Sequence, residues 1–202
     1  MASQALSAQG TRIGISTALS GTSLTITAIS KAANAVVTTT GATLVKGDVV
    51  NISGVTGMTE INGNWLVKAA TATSITLEVD STNFTTYGSG GTMKSYTFVN
   101  TCEATSFDGL DGEASEIDTT TLCSVAKEKR LGLQDFGSFS IDYNWVMSDL
   151  AQIELRKAQA DGKERQIKVI LADGSIVYFA GFVKSATMSG GVDAVYTGSS
   201  IS

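Results

Sequence analysis

Ser138-Phe139-Ser140-Ile141-Asp142-Tyr143-Asn144-Trp145 alternates without a break: each odd position is large and apolar, each even one small and polar. A period of two sends successive side chains to opposite faces, so the run predicts a β-strand with one face in a core. The residues after it decide what lies against that strand. Met147, Leu150, Ala151, Leu155 and Ala158 fall on one side of a helical wheel, with Asp149, Gln152, Arg156 and Gln159 opposite and Glu154 intruding on the apolar side. This spacing predicts a surface helix over 148–160, capped by Ser148 and ended by Gly162. Residues 166–171 and 176–183 are apolar runs joined by Ala172-Asp173-Gly174-Ser175. An Asp-Gly pair in that setting predicts a hairpin whose two central residues take positive φ. The second arm is apolar on both faces, so one face belongs in a sandwich and the other under the helix or against another subunit. A turn at Gly190-Gly191 and a last strand over 192–201 complete this part of the chain.

Working outward, composition removes whole classes of activity. There is no histidine. Ser-His-Asp and Cys-His nucleophile systems, ordinary catalytic zinc sites and imidazole acid–base chemistry are excluded together. A carboxylate-dependent hydrolase would need convergent acids, and no spacing here assigns a pair. The net charge of −5 runs against a protein that grips nucleic acid, because phosphate contacts need clustered Lys and Arg. No apolar run approaches the roughly 18 residues of a membrane span, and residues 1–6 hold neither a basic nor an apolar region. We therefore expect no membrane anchor and synthesis in a cytoplasm. In that compartment Cys102 and Cys123 are expected as reduced, buried residues, with a disulfide between them left open. Proline is absent, so turns fall to Gly, Asn, Asp and Ser.

Residues 21–93 differ in texture from the C-terminal half. Thr, Ser, Ala and Gly dominate, and charge is confined to Asp48, Glu60, Glu78 and Asp80 against Lys31, Lys46 and Lys68. Short β runs recur over 23–29, 35–40, 48–53, 65–70, 74–79 and 92–98, the spacing of a small barrel or sandwich, with no helix between them. Gly88-Ser89-Gly90-Gly91-Thr92 lacks a G-K-[ST] ending and a following helix, which makes it a flexible turn rather than a phosphate cradle. Beyond residue 95 a strand over 96–106 leads into an irregular acidic stretch. Glu103, Asp108, Asp111, Glu113, Glu116 and Asp118 have no base among them, so mutual repulsion predicts a mobile loop until something neutralises it. A short strand over 119–125 then precedes Lys127, Lys129 and Arg130. The segregation predicts a donor loop carrying Asp108, Asp111, Glu113 and Glu116 and, on a neighbouring copy, an acceptor patch of Lys127, Lys129 and Arg130.

That order of elements resembles the tail tube, or major tail, proteins of long-tailed bacteriophages: strand, acidic loop, strand, alternating strand, helix, Asp-Gly hairpin and a last strand after Gly-Gly. The resemblance spans roughly 95–202 and is most family-like in Phe139 to Trp145, Leu150 to Ala160 and Ile167 to Ser185. Ala8-Gln9-Gly10-Thr11-Arg12-Ile13-Gly14-Ile15 looks like the N-terminal arm of such proteins. Gly57-Met58-Thr59-Glu60-Ile61-Asn62-Gly63-Asn64-Trp65 and Thr85 to Thr92 resemble a motif of small β domains inserted into phage structural proteins. The resemblance implies a mainly β chain. Residues 1–20 and 94–202 would form a tail-tube-type β-sandwich with one flanking α-helix, and 21–93 an inserted small all-β domain. It further implies hexameric rings stacked into a tube in a virion tail, around a tape-measure protein and between terminator and tip proteins. The genome would pass through without specific binding.

Other constellations carry no chemistry. Asp108-Gly109-Leu110-Asp111-Gly112-Glu113 fails the EF-hand pattern, because its third position is Leu110 and its sixth Glu113. Ser124-Val125-Ala126-Lys127 matches S-x-x-K, but neither S-D-N nor K-T-G accompanies it. We therefore expect no catalytic residue, metal site or cofactor. Ser138, Ser140, Asp142 and Asn144 are either an ordinary solvent face or the lining of a channel for DNA, since a conduit must not bind what it conducts. A surface adhesin-like protein of two β domains is the alternative reading.

Overall fold

The computed structural model of the chain describes residues 5, 7–110, 112–135 and 137–201, Ile201 by its backbone alone. Strands β1 (Arg12–Leu19), β2 (Leu24–Thr25), β3 (Ala28–Ile29), β4 (Val36–Thr38), β5 (Val49–Thr56), β6 (Gly63–Ala70), β7 (Ser74–Leu77) and β8 (Ser89–Thr101) fill the first half, with a 3-10 turn at Thr59–Ile61. Strands β9 (Ala104–Gly109), β10 (Ala114–Asp118), β11 (Lys129–Gln134) and β12 (Phe139–Asn144) precede the helix α1 (Leu150–Asp161). Strands β13 (Arg165–Ile170), β14 (Ile176–Gly181), β15 (Ser185–Ser189) and β16 (Thr197–Ile201) come after it. With 48% of the chain in strands and one helix, the fold is mainly β, as the alternating patterns predict.

The chain divides into two compact units, 1–100 with 166–179 and 101–165 with 180–202. This division passes through β8, β13 and β14. In the first unit the sheet runs β14-β13-β1-β8-β5-β6-β7-β4-β3, with β2 added on β8. Its main core gathers Leu24, Ile52, Met58, Ile61, Ile75, Leu77 and Met93, and every residue of that cluster lies between 24 and 93. The expected run over 23–29 splits in two because its halves serve different partners. Leu24 and Thr25 pair with Met93 and Thr92, whereas Ala28 and Ile29 pair with Thr38 and Val37.

Three local expectations in this unit are corrected. The glycine-rich segment at 88–92 is no flexible turn: Ser89, Gly90 and Thr92 pair with Thr56, Val55 and Ser53 inside the sheet. A Cβ on Gly91 would stand 2.4 Å from Val55 Cγ2, so close packing of another side chain is what glycine permits there. The expected strand over 96–106 breaks at Cys102 and Glu103, between β8 and β9. In the Asp-Gly hairpin only Gly174 takes positive φ, at 81°. Leu171 N–H donates to Ser175 O at 2.8 Å and Gly174 N–H to Leu171 O at 2.9 Å. These are the bonds of a three-residue loop ending in a bulge glycine, not of a two-residue turn.

The second unit holds a four-stranded sheet, β15-β16-β12-β9, and the separate pair β10-β11. Phe139, Ile141 and Tyr143 are buried, as the alternation of β12 requires. The acidic stretch is not an irregular loop, because β9 and β10 occupy most of it. The expected strand over 119–125 is instead the turn of the β10–β11 hairpin, and its second arm comes later, at Lys129–Gln134. The N-cap of α1 is Asp149, whose carboxylate accepts from Gln152 N–H at 2.9 Å, and Ser148 lies outside the helix. Gly162 does end it, in a left-handed conformation with φ 61°. The buried side of the helix departs from the expected one at Gln152, which is buried, and Leu150, which is exposed, while Glu154 is buried on the apolar side as its position on the wheel implies. Hydrogen bonds explain both polar residues. Gln152 accepts from Val146 N–H at 3.0 Å and donates to Asn144 O at 2.8 Å, tying the helix to the end of β12. Glu154 accepts from Arg165 Nε at 3.1 Å, and Arg165 also donates to Asp161 at 2.7 Å. Burial works against the Arg165 charge, but the bonds from Asp161 and Glu154 outweigh it and raise its pKa.

Candidate functional site

The alternation in β12 continues across its neighbours. In an antiparallel ladder directly paired residues share a face. Ser140, Asp142 and Asn144 pair with Ile201, Ser199 and Thr197 of β16, and Ser140 and Asp142 pair with Asp108 and Ser106 of β9. On the far side, Thr187 and Ser189 of β15 pair with Ser199 and Thr197. At Ser106, Asp108, Ser140, Asp142, Asn144, Thr187, Ser189, Thr197 and Ser199 one face of four strands therefore carries hydroxyl, amide and carboxylate groups, and none of these positions is Lys or Arg. The groups bond to one another: Ser106 Oγ donates to Asp142 at 2.8 Å, Thr187 and Ser199 hydroxyls meet at 2.9 Å, and Ser189 and Thr197 at 2.8 Å. The opposite face carries Phe107, Phe139, Ile141 and Tyr143.

Of the expected polar residues, the structure brings Ser140, Asp142 and Asn144 together with Asp108. Ser138 stands before the strand, and its carbonyl accepts from Leu110 N–H at 3.0 Å. The contributions of β15 and β16 were missed, although Ser185, Thr187 and Ser189 alternate with Ala186 and Met188 and carry the same period-two signal.

Some of the acidic and basic groups meet within one chain. Glu116 and Lys129 form an ion pair within one chain, and Asp118 lies directly opposite Lys129 in the β10–β11 ladder. Arg130 faces Ile117 across that ladder, Lys127 is exposed in its turn, and Glu113 is exposed before β10. Asp111 lies outside the described residues. The neutralising partner of Glu116 is thus local, supplied by the hairpin register that a linear reading does not contain. Hydrogen bonding from Thr120 holds the Asp118 carboxyl below the usual carboxylate range.

Cys102 and Cys123 are free and exposed, not buried. Among the described residues no group of His, Cys, Asp or Glu is placed to hold a metal ion, and no helix is long and apolar enough to cross a membrane. Large apolar side chains are exposed on the β10–β11 hairpin, at Ile117, Leu122, Val125, Leu131 and Leu133. Others are exposed beyond the opposite end of β12, at Met147, Val195 and Tyr196.

Residues 80–178 match the family described as phage tail tube, TTP, lambda-like. This match supports a phage tail tube protein. The matched stretch contains β9, β12, α1 and the Asp173-Gly174 hairpin, the elements whose order carries the resemblance. It supports a structural role, as a component of a virion tail. Residues 32–96 are similar to a second family, the FCCH domain of ubiquitin-activating enzyme E1, and this stretch holds most of the core cluster of the first unit. No curated protein matches the chain.

Proposed function

We propose that this tail tube protein forms hexameric rings that stack into a hollow tube around a tape-measure protein, closed by terminator and tip proteins, through which the genome passes into the host. In this reading the face of β9, β12, β16 and β15 lines the lumen. The observation that supports it is the composition of that face, polar across four strands without a cation. Phosphate would meet Asp108 and Asp142 and neutral hydroxyls, so passing DNA finds no counter-charge and is not retained. No reaction is catalysed, and mechanism here means assembly followed by passage.

Residues 21–93 decorate the outside of the tube as an inserted β domain. What supports the insertion is the closeness of its ends: Gly21 N–H donates to Ser95 O at 3.1 Å, and the Ser20 and Thr97 hydroxyls are hydrogen bonded beside it. The acidic Glu113 and Glu116 and the basic Lys127, Lys129 and Arg130 face the next ring.

The test uses particles carrying both Ser140→Lys and Asp142→Lys. They should assemble and eject DNA more slowly than wild type, because two cations per subunit repeat along every ring. Unchanged ejection kinetics would remove the lumen assignment, while electron microscopy of the purified wild-type chain checks rings and tubes independently.

A further inference from the structure

The β10–β11 hairpin is exceptional in this chain for what it leaves uncovered. Among the described residues it pairs with no further strand, and Leu122 and Val125 at its turn are completely exposed, at 108% and 103% of their reference areas. The turn is nevertheless ordered by its own polar groups. Thr120 N–H donates to Asp118 at 2.8 Å, Glu128 N–H to the Thr120 hydroxyl at 3.0 Å, and Thr121 N–H to Ser124 Oγ at 3.1 Å. An ordered turn that presents two aliphatic side chains needs little further ordering to dock.

The hairpin grows from one end of the four-stranded sheet, since it connects Gly109 of β9 to Phe139 of β12 and these two residues are paired. The opposite end of the same sheet carries a second apolar surface. There Trp145 N–H donates to Tyr196 O at 2.8 Å and Trp145 Nε1 to Met147 Sδ at 3.2 Å. Met147 and Tyr196 are exposed, as is Val195 beside Tyr196. Charge at the two rims is complementary. Lys127 and Glu128 flank the hairpin turn, Asp193 and Arg156 flank the patch, and among the described residues none of the four forms an ion pair.

We propose that the Leu122–Val125 turn of one copy seats on the Trp145, Met147 and Tyr196 patch of a second copy, with Lys127 toward Asp193 and Glu128 toward Arg156. Knob and receiving patch lie at opposite ends of the same strands, so the contact is heterologous and repeats head to tail, closing a ring or propagating a stack. It rests on the reading of the chain as a tube subunit. It replaces the purely electrostatic contact between acidic loop and basic patch with an apolar one whose charges set its direction.

The native thiol at the turn supplies the test. In the full chain, Cys102→Ser leaves Cys123 as the sole cysteine, and Val195→Cys adds one at the patch. Mild oxidation of the assembled protein should give a ladder of covalent multimers on a non-reducing gel, because each copy offers both halves of the contact. The same chain with Thr43→Cys in place of Val195→Cys should not. Separately, Leu122→Asp with Val125→Asp should keep the wild-type circular dichroism and raise the concentration needed for self-association by roughly tenfold or more, since two apolar side chains no longer become buried. Tubes that form without a ladder, or with the Asp variant at wild-type concentration, overturn this contact and leave the tube reading intact. A ladder without tubes keeps the contact and overturns the tube reading. Dimers alone would show an isologous interface and overturn the head-to-tail geometry, and a chain that neither cross-links nor associates overturns both.

Discussion

Residues 24–93 and residues 110–137 are both β structure with short connections, and they treat their apolar side chains in opposite ways. The first stretch turns Ile52, Met58, Ile75, Leu77 and Met93 inward until each is at most 1% exposed. The second leaves Ile117, Leu131 and Leu133 exposed on a two-stranded ribbon, at 52%, 77% and 89%. A barrel-like arrangement of several strands can enclose a core, whereas a ribbon has two faces and no interior. Equal hydrophobicity therefore means stability in one place and surface for association in the other.

Expressing each stretch alone tests this contrast most severely. A fragment of residues 21–96 should give a cooperative denaturation transition, whereas residues 110–137 alone should give no dispersed amide spectrum, because an isolated two-stranded hairpin is marginal in water. A fragment 21–96 that fails to fold would show that its core depends on the rest of the chain. In the full protein, next in size is the buried ion pair of the second unit. Glu154→Ala leaves the Arg165 guanidinium buried with only Asp161 opposite it, at an expected cost of about 3–5 kcal/mol in urea denaturation.

Truncation of apolar residues compares the two stretches directly. Ile52→Ala should cost about 2–5 kcal/mol by leaving a cavity, while Leu133→Ala should stay within about 0.5 kcal/mol in the monomer. Similar losses at the two positions would break the distinction. The smallest effect concerns Lys168, whose ammonium lies 4.3 Å from the Phe98 ring centre and donates to Gly47 O at 3.4 Å. Burial lowers its pKa, against the opposing influence of Asp48. A base with a lowered folded pKa costs stability while it is charged, and the cost fades as pH rises through the folded value toward the unfolded one near 10.4. Lys168→Met should therefore unfold at higher urea than wild type near neutral pH, and the gap should narrow at about pH 10.

The pattern of β12 was legible because a strand with one buried face needs nothing but alternation. The Gly162 stop of α1 and the Asp173-Gly174 hairpin were legible because their signals are local. The helix face was misjudged at Gln152, whose partner Asn144 lies eight residues before it. Burial of a polar residue depends on whether a partner arrives, and periodicity cannot supply that. The acidic stretch failed for the same reason, since Lys129 reaches Glu116 only once β10 and β11 pair.

What the sequence by itself determined is what short-range chemistry decides: a mainly β chain, the absence of imidazole chemistry, the polar alternation of β12, and an order of elements shared with phage tail tube proteins. Only the tertiary structure decided that Ser106, Thr187 and Ser199 extend that alternation over four strands, and that Leu122 and Val125 stand exposed beyond one end of the sheet with Met147 and Tyr196 beyond the other. Side-chain direction along one strand follows from the geometry of the backbone, but which strands lie side by side, and in what register, is settled by long-range pairing and burial across the whole unit.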